Sequence, residues 1–347
     1  MKSALLICRC LGMAMLLAAA AAGADPGKYG DPARFSVLEE NDGIITHKDR
    51  YYTQGLQLSY LSGDLTGHQN WNRVFDAVGW ALPMYRDRDG VAQRRFEYVP
   101  IAQVEFTPQG LDATTPDPND RPYAAWLFTG LHLLQENDQN SLNNLEVLAG
   151  VVGPDAFGRQ IQDGYHQLVG FHQSRGWDHQ IPDRAAFQFS YDYKRRLDLN
   201  FGSHYQADVI PEAGVSLGNV YRYLDAGALL RYGNALDVDY GPEHIRPALS
   251  GTAFSDYRRL GASWFHWYLY AGVQERRTFY NLFIDAADEV APHGLDRPSF
   301  NTDYVGGASI FFGHFLRADF LAARRSREFN NQNGAQVFGG VNLTFDP

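Results

Sequence analysis

Twelve times between residues 33 and 345 the chain passes through a short stretch in which successive side chains alternate in character. In 264–273, Phe265, Trp267, Leu269, Ala271 and Val273 share one face, and His266, Tyr268, Tyr270 and Gly272 share the other. Leu56, Leu58 and Tyr60 alternate with Gln57 and Ser59, and Val337, Val341, Leu343 and Phe345 alternate with Phe338, Asn342 and Thr344. A period of two is the period of a β-strand, whose side chains point to opposite faces of a sheet. The pattern predicts strands near 33–41, 52–62, 95–106, 122–134, 142–152, 185–197, 205–217, 220–232, 262–280, 302–314, 316–328 and 335–345. Twelve is an even number, as single-chain bacterial outer-membrane barrels require. Past the N-terminal segment no run reaches the 18 or so apolar residues of a membrane-spanning helix. The expected fold is therefore all-β, a transmembrane antiparallel β-barrel of about twelve strands, with a secreted sandwich as the soluble alternative. The stretch 233–260 fits neither strand nor short turn.

The first residues agree with export. Lys2 and Arg9 precede an apolar run from Leu11 to Ala22, and Ala22-Gly23-Ala24 offers small residues for cleavage. That is the pattern of a signal peptide over residues 1–24, leaving 25–347 as one barrel domain. Both cysteines, Cys8 and Cys10, fall within the signal, so the exported chain is expected to hold no disulfide and no thiolate metal site. The formal charge of −10 and the lack of a basic run argue against a nucleic-acid partner. Charged residues make up 20% and aromatic residues 14%, which suits strands whose outer faces meet hydrocarbon between aromatic girdles.

Three segments carry candidate chemistry. Residues 154–172 break the β pattern. Phe157, Ile161, Tyr165 and Leu168 fall at helical spacing, with Arg159, Gln162 and His166 on an adjacent polar stripe. A helix inserted between barrel strands must lie in a loop, here an extracellular one, which would hold His166 over the rim of the wall. On the residues alone the plainer reading is a plug or packing helix whose histidine satisfies a polar contact. Residues 39–55 gather Glu39, Glu40, Asn41, Asp42, Asp49, Arg50 and Thr53 around the first connection. Their oxygens are hard ligands suited to calcium, though such residues are also common in a solvated turn. In the third segment, 116–123, Arg121 could bind phosphate or carboxylate, or form a structural ion pair.

Together these segments resemble the lipid A 3′-O-deacylase family of outer-membrane enzymes. The resemblance rests on Glu40-Asn41-Asp42, Asp49-Arg50-Tyr51-Tyr52-Thr53-Gln54-Gly55-Leu56, Asn119-Asp120-Arg121-Pro122-Tyr123-Ala124, Gly153-Pro154, Gln162 with His166, Gly176-Trp177-Asp178-His179-Gln180, and Arg327-Glu328-Phe329-Asn330-Asn331-Gln332, in that order. It implies a twelve-stranded barrel with its active site at the outer rim, between the wall and a helix from an extracellular loop. His166 would be the general base that activates water, Asn41 and Asp42 would hold Ca²⁺, and Thr53 would shape the site. Arg121 and Gln162 would bind substrate. That substrate would be lipid A, or whole lipopolysaccharide, in the outer leaflet of the outer membrane, cleaved by a monomer at the ester of the 3′ acyloxyacyl chain. Residues 100–121 hold no lysine, where family members use one, so that role is vacant or passes to Arg121. Three other functions compete: a non-enzymatic porin or structural barrel, an outer-membrane phospholipase, and a lipid A acyltransferase. The phospholipase class uses a serine beside its histidine, and no such pairing stands out.

Overall fold

The computed structural model describes residues 31–46, 49–86, 90–115, 117–170, 173–199, 206–247, 251–290 and 295–346. The expected signal peptide lies outside them.

Twelve strands close into one antiparallel barrel: β1 (Arg34–Asn41), β2 (Tyr51–Leu61), β3 (Val91–Thr107), β4 (Ala124–Asn137), β5 (Ser141–Val152), β6 (Arg184–Arg195), β7 (Gln206–Gly218), β8 (Tyr221–Gly233), β9 (Phe265–Asn281), β10 (Phe300–Phe312), β11 (Leu316–Arg325) and β12 (Gln336–Phe345). Each pairs with its neighbour in sequence, and β1 closes on β12 from Phe35↔Phe345 to Asn41↔Gly339. A three-residue strand, Leu197–Leu199, adds to the edge of β7. Every strand expected from alternation is present, its ends displaced by at most four residues.

The barrel is inverted relative to a soluble sandwich. On β6, Gln188, Ser190, Asp192 and Lys194 are buried, whereas Phe187, Phe189 and Tyr193 are exposed. Apolar side chains left exposed in regular alternation are stable only against hydrocarbon, which decides for the membrane barrel. Exposed aromatics gather toward the strand ends. At the end where the chain terminates, Phe35 faces Phe345 and Phe265 faces Phe312, with Trp264 and Phe315 beside them. At the other end stand Phe187, Phe279 and Phe300. These are the two interfacial girdles of a spanning barrel.

The connection from β8 to β9 folds back into the lumen. Leu236, Val238, Tyr240, Ile245, Phe254 and Tyr257 are buried in the main core. Arg246 lies in the same fold-back and pairs with Glu146 of β5 at 3.0 Å and with Asp192 of β6. Glu243 accepts a hydrogen bond from Gln57 of β2 at 2.5 Å, and the backbone N–H of Ile245 donates to Glu40 of β1 at 3.2 Å. This is why 233–260 fits neither strand nor short turn: its described residues, 234–247 and 251–260, form a plug, stitched to β5 and β6 by buried ion pairs and to β1 and β2 by hydrogen bonds.

Two helices of three turns or more stand out among the described residues, beside four-residue ones at Gly43–Thr46 and Leu282–Asp285. Helix α1 (Gln69–Ala81), absent from the sequence expectation, follows β2 at the terminal end. Helix α2 (Gly158–Val169), expected within 154–172, follows β5 at the opposite end, after a 3₁₀ turn at Pro154–Ala156.

Candidate functional site

The outward face of the wall ceases to be apolar near the rim under α2. Leu58 and Leu56 point outward on β2 and are exposed, and the next residue of that face is Gln54. On β3, Ile101 is exposed opposite Leu58, and the positions that follow it outward are Gln103, opposite Leu56, and Glu105, opposite Gln54. Polar groups on a lipid-facing wall need a cover. Helix α2 and the preceding turn supply it: Gln103 donates to the Ala156 carbonyl at 2.6 Å. The close seat of α2 needs Gly158, where a Cβ would stand 2.5 Å from the Trp177 ring and 2.6 Å from Ala125.

Helix α2 turns its polar stripe to the wall. Gln162 and His166 are buried, at 1% and 3% exposure, while Phe157 and Ile161 of the apolar stripe are exposed. Arg159 leaves the buried stripe to pair with Asp178 at 2.8 Å. His166 Nε2 lies 2.6 Å from Oδ2 of Asp49. The same oxygen accepts from Gln162 Nε2 at 2.9 Å, and Gln162 Oε1 accepts from the Trp177 indole at 2.6 Å. A chain of bonds thus runs from Trp177 through Gln162 and Asp49 to the imidazole, fixing the ring in place.

The first connection forms the facing wall. Asn41 ends β1, its side-chain oxygen accepting from Gly43 N at 2.7 Å. Asp42 Oδ2 accepts from Arg50 N at 2.8 Å, which folds the loop so that Asp49 reaches α2. Thr53 is buried, with Oγ1 2.6 Å from Thr107 Oγ1, and its carbonyl accepts from Asp42 N at 3.3 Å. Asn41, Asp42, Asp49, Thr53, Gln162 and His166 border one small cleft of about 20 Å³. The structure therefore brings together the candidates from residues 41–53 and from the helix. Arg121 does not border it. It is buried over the Phe106 ring, 4.2 Å from the centroid, and pairs with Glu328 at 3.3 Å, beside a separate cavity of about 440 Å³ in the β3–β4 connection.

Several acidic oxygens here lack a bond. Asp42 Oδ1, Asp49 Oδ1 and both carboxylate oxygens of Glu105 are buried without a hydrogen-bond partner. Burial is the main cause that pushes the Asp42 carboxyl up to about 8, with the charge of Asp49 adding to it and the backbone N–H of Arg50 opposing it. Unpaired, desolvated carboxylates beside a neutral amide oxygen are donors of the kind a hard cation takes. Among the described residues, no group of three or more His, Cys, Asp or Glu is set to hold a metal ion. Any cation here would draw on Asp42 and Asn41 together with neutral oxygens.

Sequence reasoning assigns Glu105 no role, and Asp49 none beyond a share in the calcium-suited loop. Asp49 was visible only as one acid among several in a loop. Glu105 had a signal, a carboxylate at the outward end of a strand whose earlier outward residues include Ile101.

A family model described as "Outer membrane protein LpxR" matches residues 5–346. Among solved structures, LpxR from Salmonella typhimurium superposes with a TM-score of 0.71 at 20% identity, over 90% of this chain and 99% of that one. The β domain of the Bordetella autotransporter Brka aligns over 91% of this chain and 98% of its own, at 8% identity and a TM-score of 0.42. No curated protein matches significantly in sequence.

Proposed function

We propose that this chain, which belongs to the LpxR family of outer membrane proteins, is a lipid A 3′-O-deacylase that acts as a monomer on lipopolysaccharide in the outer leaflet. The observation that carries the reading is the His166–Asp49 pair, 2.6 Å apart, placed on the outer face of the wall beneath a helix. A base in that place meets an ester whose acyl chains stay in the bilayer, and the exposed Phe157, just before α2, and Ile161 of α2 offer those chains an apolar neighbour.

The residues divide the work as follows. Asp49 accepts the Nε2 proton and so selects the tautomer of His166 whose Nδ1 is basic. Nδ1 takes a proton from water as the water oxygen attacks the ester carbonyl. The C–O bond to the sugar then breaks, and the imidazolium returns the proton to the leaving sugar oxygen. The acid and the 3′-hydroxyl are the products. Gln162 and Trp177 hold Asp49 in register, and Thr53 holds the loop that carries Asp42. A Ca²⁺ ion held by Asp42 and Asn41 would stabilise the oxyanion as a Lewis acid. The unpartnered Asp42 oxygen supports that assignment. Arg121, buried outside the cleft, could meet a phosphate only at the margin of the site.

Mass spectrometry of lipid A from a host lacking this activity tests the reading. Expression of the chain should remove the mass of the 3′ acyloxyacyl group, and His166→Ala should restore it. Unchanged lipid A with folded wild-type protein in the membrane would overturn the assignment. The porin reading is opposed by the plug, and the phospholipase reading by the cleft, which no serine among the described residues borders.

A further inference from the structure

Helix α1 packs against the outside of the barrel. Its contacts settle which face it buries: Trp71, Phe75 and Gly79 point to the wall, and Trp71 stacks on Phe96 with ring centroids 4.6 Å apart. Phe96 is opposite Leu133, and Leu133 is opposite Leu145, all on the outward face. Arg94 also points outward here, opposite Gln135, where a guanidinium would otherwise meet hydrocarbon. The helix answers it. Arg94 donates to Asn72 at 2.9 Å, to Gln135 at 3.0 Å and to the Tyr85 carbonyl at 3.0 Å, and lies 3.4 Å from Asp76.

The other side of α1 has no protein against it among the described residues. Val74, Ala77 and Ala81 share an exposed stripe at i, i+3 and i+7. Trp80 beside them is 82% exposed. Asn72 and Asp76 occupy the opposite flank, so the exposed surface is apolar on one side and polar on the other. A row of rings joins the helix to the girdle at the terminal end: Phe35 to Tyr60 at 5.2 Å, Tyr60 to Phe96 at 5.8 Å, and Phe96 to Trp71. The helix is therefore continuous with a surface that already faces lipid.

We infer that α1 is an interfacial membrane anchor, lying in the headgroup layer of the leaflet at the terminal end. Val74, Ala77, Trp80 and Ala81 enter the upper acyl chains, and Arg73 stands at the phosphates. Indole at that depth has its ring in apolar surroundings and its N–H in the wet layer. Because the cluster that α1 joins runs along one side of the wall, from Tyr60 of β2 to Tyr191 of β6, the helix sets the depth of the barrel and biases its tilt toward that side. This inference is independent of the reaction proposed for the opposite rim.

Nitroxide labelling of the full chain in phosphatidylethanolamine–phosphatidylglycerol vesicles tests it. Cys8 and Cys10 are replaced by serine, and a label is placed by Trp80→Cys or, separately, Ala77→Cys. Val147→Cys gives a lipid-facing reference, and His314→Cys gives an aqueous one at the same end. The ratio of oxygen to nickel-chelate collisions at 80 and 77 should exceed that at 314 by roughly tenfold, as for a side chain below the headgroups. A ratio equal to that at 314 would place the face in water and overturn the inference. Exclusion of both colliders would mean that a protein covers the face, which overturns it as well. The two label positions keep the test decisive if one variant fails to fold.

Discussion

Oδ2 of Asp49 receives two donors at once, His166 Nε2 at 2.6 Å and Gln162 Nε2 at 2.9 Å, although Asp49 lies in the first loop and both donors lie on α2. One oxygen thus ties the strand-borne half of the site to the helix-borne half.

Asp49→Asn keeps the shape and removes the acceptor that selects the imidazole tautomer. Deacylation should fall by roughly 10²–10⁴-fold in kcat, the range of a lost acid–base function, with KM little changed. Rates on purified lipopolysaccharide check this. His166→Ala should lose as much or more, and the double variant no more than the worse single one, because the two residues act as one unit. Additive losses would separate their roles.

Asp42 connects calcium to pH. Its folded value of about 8 lies above its ordinary 3.8, so the folded chain holds the extra proton across that interval. Its contribution to stability is therefore complete below about pH 4 and is lost as pH rises toward 8. A cation should cancel that loss by displacing the proton. Calorimetry at pH 7 in two buffers of different ionisation enthalpy should show about one proton released per Ca²⁺ bound. Asp42→Asn should abolish the release, and binding without any release would detach Asp42 from the ion.

Gly158 lets α2 lie close to the wall, with Trp177 and Ala125 where a Cβ would go. Gly158→Ala should cost about 1–3 kcal/mol of local packing and lift the helix. Activity should drop sharply while the barrel keeps its heat-modifiable migration on gels. Unimpaired activity would show that the helix tolerates displacement.

The plug makes a prediction of its own. Wild-type protein in planar bilayers should conduct little. Arg246→Ala leaves Asp192 without its cation in the lumen and Glu146 with His132 at 3.4 Å, a loss of about 3–5 kcal/mol for a broken buried pair. Conductance should rise in that variant. Large open channels in the wild type would contradict the plug.

The barrel was legible because alternation is imposed on every strand by its two surroundings, and a period of two survives any exchange of side chains within a face. Gln162 and His166 were legible as a polar stripe at helical spacing, Asn41, Asp42 and Thr53 only through the family resemblance, and the fold brings all five to one cleft. Their union through Asp49 was not, since it depends on how a loop bends around the bond from Arg50 N to Asp42. Helix α1 and the plug were hidden for a related reason. Both bury one surface against the barrel itself, α1 on the outer wall and the plug on the lumen wall, so neither had to display a self-contained pattern. Arg94 and Glu105 were the available signs: each is a charge on an outward strand face, and each marks where a covering element lies.

The lumen plug has a consequence for the cell that carries it. A membrane that serves as a permeability barrier can hold an open barrel only at the expense of leakage, which grows with every copy made. Residues 234–247 and 251–260, anchored through Arg246 and Glu243, occupy the lumen, and a barrel filled in this way should escape that penalty. The abundance of this protein can then follow the demand for its rim chemistry without lowering resistance to small toxic solutes.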